Sequence, residues 1–237
     1  MNQDREPKII LTRPEPGLSK FSVQLAQEVP SAQQYCEALQ VIDFKPYQGD
    51  LARYSGFVFT SSNGVRAAKR WDLPPRLGFG VGQVTTELAR SYCDPVYDGG
   101  SDVEALIALI KSMMPDGPLL HIRGRVSVGN LATRLSEHGI ETHEAIGYQQ
   151  NVCTPSDVLI QLLQGGKPMI LPLFSPKSAE ILKTLSTNQE HWHVIAMSQA
   201  VAEIFDANKV WKLEIARKPN GAAMLDCVTN AWRRYLG

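Results

Sequence analysis

Short apolar runs alternate with amphipathic stretches from one end of this chain to the other, which is the pattern of an α/β protein. Lys8–Thr12 reads as a buried strand, and Gly56–Thr60, Leu77–Val81, Asp94–Tyr97, Pro118–Ile122, Met169–Phe174 and His193–Met197 read as further strands. Gln34–Phe44, Glu141–Tyr148 and Val210–Ala216 read as extended. Between them the pattern predicts helices over Leu18–Glu28, Asn63–Trp71, Val84–Tyr92, Ala105–Met114, Val128–His138, Pro155–Leu163, Ser178–Leu185, Gln199–Phe205 and Ala222–Tyr235. Local punctuation sharpens the boundaries. Arg13-Pro14-Glu15-Pro16-Gly17 is a turn, Gly165-Gly166 stops a helix, and Ser101 with Glu104 three residues on reads as a capping box before Ala105.

The chain also repeats itself. Phe59-Thr60-Ser61-Ser62-Asn63-Gly64-Val65 returns as Phe174-Ser175-Pro176-Lys177-Ser178-Ala179, with Ser175 standing 115 residues after Thr60. Val81-Gly82-Gln83 returns as Met197-Ser198-Gln199, with Gln199 standing 116 residues after Gln83. Offsets that agree so closely imply an internal duplication. Its wider frame matches strand-Arg13-turn-helix, ending in Val41-Ile42-Asp43-Phe44, with strand-Arg123-turn-helix, ending in Ala145-Ile146-Gly147-Tyr148. Two kindred α/β units are therefore expected, with the working site at the cleft between them. The polar extended runs near 41–48 and 144–153 are the candidates for the crossings.

Composition narrows the function classes. At 237 residues the chain holds one large domain or two of ordinary size. Lysine plus arginine and aspartate plus glutamate stand at 24 each, so no global field recruits nucleic acid or a membrane surface. No apolar run approaches the ~20 residues of a membrane span, and Met1–Lys8 lacks the apolar core of a signal peptide. Cys36, Cys93, Cys153 and Cys227 are scattered, which argues for a reducing, cytoplasmic setting and against a disulfide framework or zinc knuckle. His191-Trp192-His193 could chelate, but a strand start explains it better. No metal is expected, and a monomer is the default.

Anion chemistry has the strongest local support. The Thr60-Ser61-Ser62-Asn63 turn sets hydroxyls and an amide where a strand gives way to a helix, and helix N-termini favour anions. Plain N-capping by Ser61 or Ser62 is the alternative. Gly82 reads as a close-approach glycine opening a helix whose first turn carries Thr85 and Thr86. The Gly78-Phe79-Gly80-Val81-Gly82 run lacks the G-x-G-x-x-G spacing of a dinucleotide site, since position 83 is glutamine. Arg123-Gly124-Arg125 ends a strand, and an arginine fork suits carboxylates or phosphates; a salt-bridged or solvated pair is the alternative. Arg13 is its counterpart. Tyr148 reads either as a packing residue or as an acid. No Ser-His-Asp order, nucleophile elbow or carboxylate dyad is visible.

Together these marks resemble the uroporphyrinogen-III synthase family over nearly the whole chain. They are Leu11-Thr12-Arg13-Pro14, Val58 through Val65, Val81-Gly82 with Thr85, Leu120-His121-Ile122-Arg123-Gly124, Leu135 with Gly139-Ile140, Tyr148, and Phe174-Ser175-Pro176. The resemblance implies two flavodoxin-like parallel-sheet domains joined by two extended linkers, with a cleft between them. Residues 1–42 plus 152–237 would form one domain and 45–147 the other, with linkers near 43–45 and 148–151. It implies a carbon–oxygen lyase of tetrapyrrole and heme biosynthesis that closes linear hydroxymethylbilane, inverting the last pyrrole ring, without a cofactor. Tyr148 matches the position proposed for the acid. Arg13, Thr60, Ser61, Asn63, Gly82, Thr85, Arg123, Gly124 and Ser175 would hold the substrate. The family's second glycine–threonine turn here reads Met197-Ser198-Gln199-Ala200-Val201, so Lys177 and Ser198 join Ser175 as substitutes. The rival reading is a two-domain protein that binds an anionic small molecule without chemistry.

Overall fold

The computed structural model describes residues 6–127 and 129–236. In chain order it runs β1 (Lys8–Leu11), α1 (Gly17–Glu28), β2 (Gln34–Cys36), β3 (Gln40–Phe44), β4 (Gly56–Phe59), α2 (Ser62–Arg70), β5 (Leu77–Gly80), α3 (Gln83–Ala89) and β6 (Val96–Asp98). Next come α4 (Val103–Met113), β7 (Leu119–Gly124), α5 (Leu131–Ser136), β8 (Thr142–Val152), α6 (Asp157–Gln164), β9 (Met169–Leu173), α7 (Pro176–Thr184), β10 (Trp192–Ala196), α8 (Gln199–Ala202), β11 (Lys212–Ile215) and α9 (Gly221–Leu236). Val128, where the sequence pattern starts a helix, lies outside the described residues.

The chain divides into two compact units, one running to Val41 and resuming at Val152, the other spanning Ile42–Asn151. The first holds a five-stranded sheet in the order β11-β10-β9-β1-β2, and the second a six-stranded sheet in the order β3-β8-β7-β4-β5-β6. Apart from the edge pair of β3 with β8, the strands pair in parallel. The central strands β4, β9 and β10 are buried throughout, because helices cover both faces. In the first unit α1 and α9 pack on one face, through Phe21, Leu25, Met224 and Val228, and α6, α7 and α8 on the other, through Leu163, Leu182 and Val201. In the second, α2 and α3 pack on one face through Val65, Ala68 and Ala89, and α4 and α5 on the other through Ile110 and Leu135.

The two sheets are one arrangement built from different stretches of chain. Each repeat supplies two strands and then three, β1, β2 with β4, β5, β6, and β7, β8 with β9, β10, β11. The first unit takes its pair from the first repeat and its triplet from the second; the second unit does the converse. Read as pair then triplet, both sheets have the spatial order 2-1-3-4-5 of a flavodoxin-like fold. The second unit adds β3 at its edge. Lys45 N donates to Gly147 O and Cys153 N to Leu39 O, so β3 runs antiparallel to β8.

Several boundaries differ from the sequence pattern. The single extended run Gln34–Phe44 is two strands in different sheets, broken where the Glu37 carboxylate accepts from Ser156 N at 2.7 Å and from Tyr35 Oη at 2.7 Å. The cap of α4 is Asp102, whose side chain accepts from Ala105 N at 2.9 Å. Ser101 instead donates to Asp102, and Glu104 pairs with Arg134. The caps also move the first repeated phrase by one residue, since Ser61 caps α2 and Ser175 caps α7. Thr60 therefore corresponds to Phe174. Strand register likewise overturns the pairing of Phe44 with Tyr148. Leu11, two before Arg13, faces Cys36, and His121, two before Arg123, faces Glu144; four residues further on stand Gln40 and Tyr148.

Candidate functional site

Adjacent strands whose following helices lie on opposite faces leave a crevice beyond their carboxyl ends, where doubly wound sheets bind ligands. That reversal falls between β1 and β9 in the first unit and between β7 and β4 in the second. Arg13, Thr60, Ser61, Arg123, Gly124 and Ser175 all sit at these strand ends.

In the second unit a bulge aims Tyr148. Arg123 faces Ile146 while Gly124 faces Tyr148, so β8 carries an extra residue, Gly147. Regular alternation would send Tyr148 to the α4–α5 face; the bulge turns it toward α2. Two glycines make the room. A Cβ on Gly124 would stand 2.9 Å from the Tyr148 ring, and one on Gly147 would stand 2.7 Å from Ala67 Cβ. The phenol ends 2.9 Å from Ser61 Oγ, which also accepts from Gly64 N at 3.3 Å as the cap of α2. Ser61 therefore caps the helix and holds the tyrosine together.

Thr60 lies on the opposite face of the same strand end. Its Oγ1 is 3.1 Å from Nε2 of His121, which is 1% exposed. His121 Nδ1 lies 3.7 Å from Glu144 Oε1, and Glu144 Oε2 accepts from Arg123 Nη2 at 2.7 Å. Burial pushes the His121 imidazole down to about 4; Glu144 opposes the shift and Arg123 adds to it. Arg123 Nη1 is spent on the carbonyls of Gly124 and Arg125 at 2.9 and 3.2 Å. Both Nη groups are thus occupied by the protein, the salt-bridged alternative of the sequence reading, while the buried Nε has no partner.

The other residues of this unit divide. Asn63 Oδ1 accepts from Arg66 at 2.9 Å. Thr85 is buried and lies 3.5 Å from Ser62 Oγ. Gly82 opens α3, but a Cβ there would meet nothing within 4 Å, so close packing is not its reason. Its φ of 75° and ψ of 150° fall in a region open essentially to glycine alone.

The first unit has the same frame with different chemistry. The Arg13 guanidinium lies 4.0 Å over the Phe174 ring, and Phe174 meets Phe21 edge-on at 5.0 Å. Gly17 makes room, because a Cβ there would stand 2.6 Å from Arg13 Nε. Half-burial lowers the Arg13 pKa by desolvation, yet arginine keeps its charge at neutral pH. Ser175 caps α7 and donates to Ser178 Oγ at 3.0 Å, which also accepts from Gln40 at 2.8 Å. Gln40 thus occupies the place that Tyr148 holds in the second unit. Lys177 is exposed and lies 3.7 Å from Glu180, and Ser198 makes no side-chain cap bond. His191 and His193 take separate partners, Leu163 O and Glu214.

Three residues of the second crevice escaped the sequence reading: His121, Glu144 and Gly147. The available signal was a histidine inside the apolar run Leu119–Ile122, with Arg123 two residues on and hence on the same face. Two concavities of about 600 and 570 Å³ lie elsewhere in the first unit and are lined by none of the sequence-predicted site residues. Among the described residues no helix is long and apolar enough to cross a membrane, and no group of three or more His, Cys, Asp or Glu could hold a metal ion.

Residues 28–226 match the family described as uroporphyrinogen-III synthase HemD. Among solved structures, the chain is similar to a uroporphyrinogen-III synthetase from Helicobacter pylori, at 16% identity and a TM-score of 0.65, over 95% of this chain and 99% of that one. It is also similar to a mutant uroporphyrinogen III synthase from Thermus thermophilus, at 13% identity and a TM-score of 0.55, over 96% and 99%. At these identities the likeness is one of fold. No curated protein sequence matches.

Proposed function

The chain belongs to the uroporphyrinogen-III synthase HemD family, and on that premise we propose that it closes linear hydroxymethylbilane to uroporphyrinogen III. The observation that carries the reading is the phenol of Tyr148, turned by a bulge to a strand end and held 2.9 Å from a helix-capping serine. Ser61 Oγ already accepts the cap bond from Gly64. Its own proton is best used on the Tyr148 oxygen, which leaves the phenolic proton free for the substrate. Tyr148 then protonates the departing hydroxyl of the bilane. An electron-rich pyrrole expels that group readily, so the acid adds at the low end of the ~10²–10⁴-fold usual for such help. Placing the last ring for spiro attack and inversion is the larger task.

The acetate and propionate arms of the substrate need fixed donors. Arg13 is the better candidate of the two repeat arginines. Its guanidinium is held over the Phe174 ring, and planar bidentate recognition suits a carboxylate. Arg123 is the positioning member, since both its Nη groups already serve Glu144 and two carbonyls.

Purified protein given freshly made hydroxymethylbilane should yield the type III isomer, whereas a protein that only binds it leaves spontaneous closure to the type I isomer. Tyr148→Phe should lower kcat about 10²-fold. Wild-type turnover in that variant removes Tyr148 as the acid.

A further inference from the structure

We infer that Thr60, His121 and Glu144 form a proton-accepting relay for the last step of ring closure, with Thr60 meeting the substrate and His121 taking the proton behind it. The inference rests on the reading above. Spiro attack joins the terminal carbon of the bilane to the substituted α-carbon of the last pyrrole and releases the bridging carbon, and final closure joins that bridging carbon to the other α-carbon, which still bears hydrogen. The cationic adduct regains its aromatic ring only when that C–H bond breaks and its electron pair returns to the ring. In the relay, Thr60 Oγ1 takes this proton while its own passes to the lone pair of His121 Nε2. The imidazolium then faces the Glu144 carboxylate. Tyr148 has given up one proton to the leaving hydroxyl and the relay has gained one, so a single proton exchange through solvent restores both.

The geometry fixes the directions. Glu144 accepts from Arg123 at 2.7 Å and is therefore an anion. An anion 3.7 Å from Nδ1 selects the tautomer with hydrogen on Nδ1. The Nε2 lone pair then points at Thr60 Oγ1, 3.1 Å away. Lowered basicity keeps the ring neutral at neutral pH, so the acceptor position is open. Nδ1 is buried, and the Glu144 carboxylate faces it from beyond hydrogen-bond distance.

The duplication gives an independent argument. At the positions of His121, Thr60 and Glu144 the first unit has Leu11, Phe174 and Cys36. Leu11 is 1% exposed and packs with Phe21 and Leu25. The fold accepts an apolar residue here, so a buried imidazole answers to something other than folding.

The experiment uses the full chain with hydroxymethylbilane unlabelled or deuterated at the α-carbon of its last ring. His121→Leu copies the first unit and should stay folded. His121→Gln can still accept from Thr60 through its amide oxygen but cannot take up a proton. Thr60→Val, His121→Leu and His121→Gln should each lower kcat about 10²-fold, with KM within about two-fold of wild type, type III retained in what is formed, and a deuterium effect on kcat. A His121→Gln enzyme at wild-type rate overturns the relay and leaves His121 an orienting residue. All three variants at wild-type rate, with no deuterium effect, overturn it outright. Wild-type protein yielding only the type I isomer removes the functional reading and the relay with it, before any variant is made.

Discussion

Gly64→Ala tests the contact that carries the candidate acid's partner. Gly64 lies in the first turn of α2, and a Cβ there would sit 2.4 Å from Ile122 O, a backbone atom of β7. Real Cβ contacts stop near 3.0 Å, so helix and strand must part by about 0.6 Å. Ile122 is paired with Phe59 on one side and Ala145 on the other, and it cannot yield as a flexible side chain would. The helix has to move. Overpacking of this kind costs about 1–3 kcal/mol, and the backbone clash puts it in the upper half. Alanine's better helix propensity returns about 1 kcal/mol. The net loss is about 1–2 kcal/mol, which lowers Tm by roughly 2–8 °C for a chain of this size. Urea unfolding followed by circular dichroism reads it directly. A variant as stable as wild type would show that α2 rides loosely on β7, and the argument that Ser61 is rigidly placed would fail with it.

Two further outcomes are expected. Asp102→Ala should cost about 1 kcal/mol by removing the cap of α4, while Ser101→Ala should cost almost nothing; equal losses in urea unfolding would restore the capping-box reading. Because the His121 pKa is depressed to about 4 in the native state, the unfolded chain binds the proton first as pH falls from about 6.5. Stability present above that pH is lost toward pH 4, on the order of 3 kcal/mol. His121→Leu should flatten this part of the pH–stability curve, and an unchanged curve would contradict the buried neutral imidazole.

The strands that were easiest to read are those with both faces covered. Gly56–Phe59 and Met169–Leu173 are apolar at every position, so no partner information was needed to see them. The doubly wound class followed from their alternation with helices. What escaped depended on neighbours distant in sequence. Gln34–Phe44 reads as one strand because nothing local shows that Glu37 will bind Ser156 over a hundred residues on. The helix after Ser198 closes at Ala202, earlier than its composition suggests, since Phe205 turns inward to pack with Trp192. The bulge at Gly147 could not be seen at all, because it exists only against the register of β7. The His121–Glu144 contact was half visible, as a polar residue in a buried run without its partner.

The exchange of strands between repeats has a consequence for biosynthesis. The unit spanning Ile42–Asn151 is one uninterrupted stretch, so it can close as soon as β8 leaves the ribosome. The opening strand β1 emerges first yet docks late, since its neighbour β9 is made more than 150 residues afterwards. At ~5–20 residues per second it waits roughly 8–30 seconds with the edge that faces β9 uncovered. Neither copy of the duplicated segment completes a sheet from its own strands. A gene cut at the repeat boundary would therefore give two fragments that each need the other to fold.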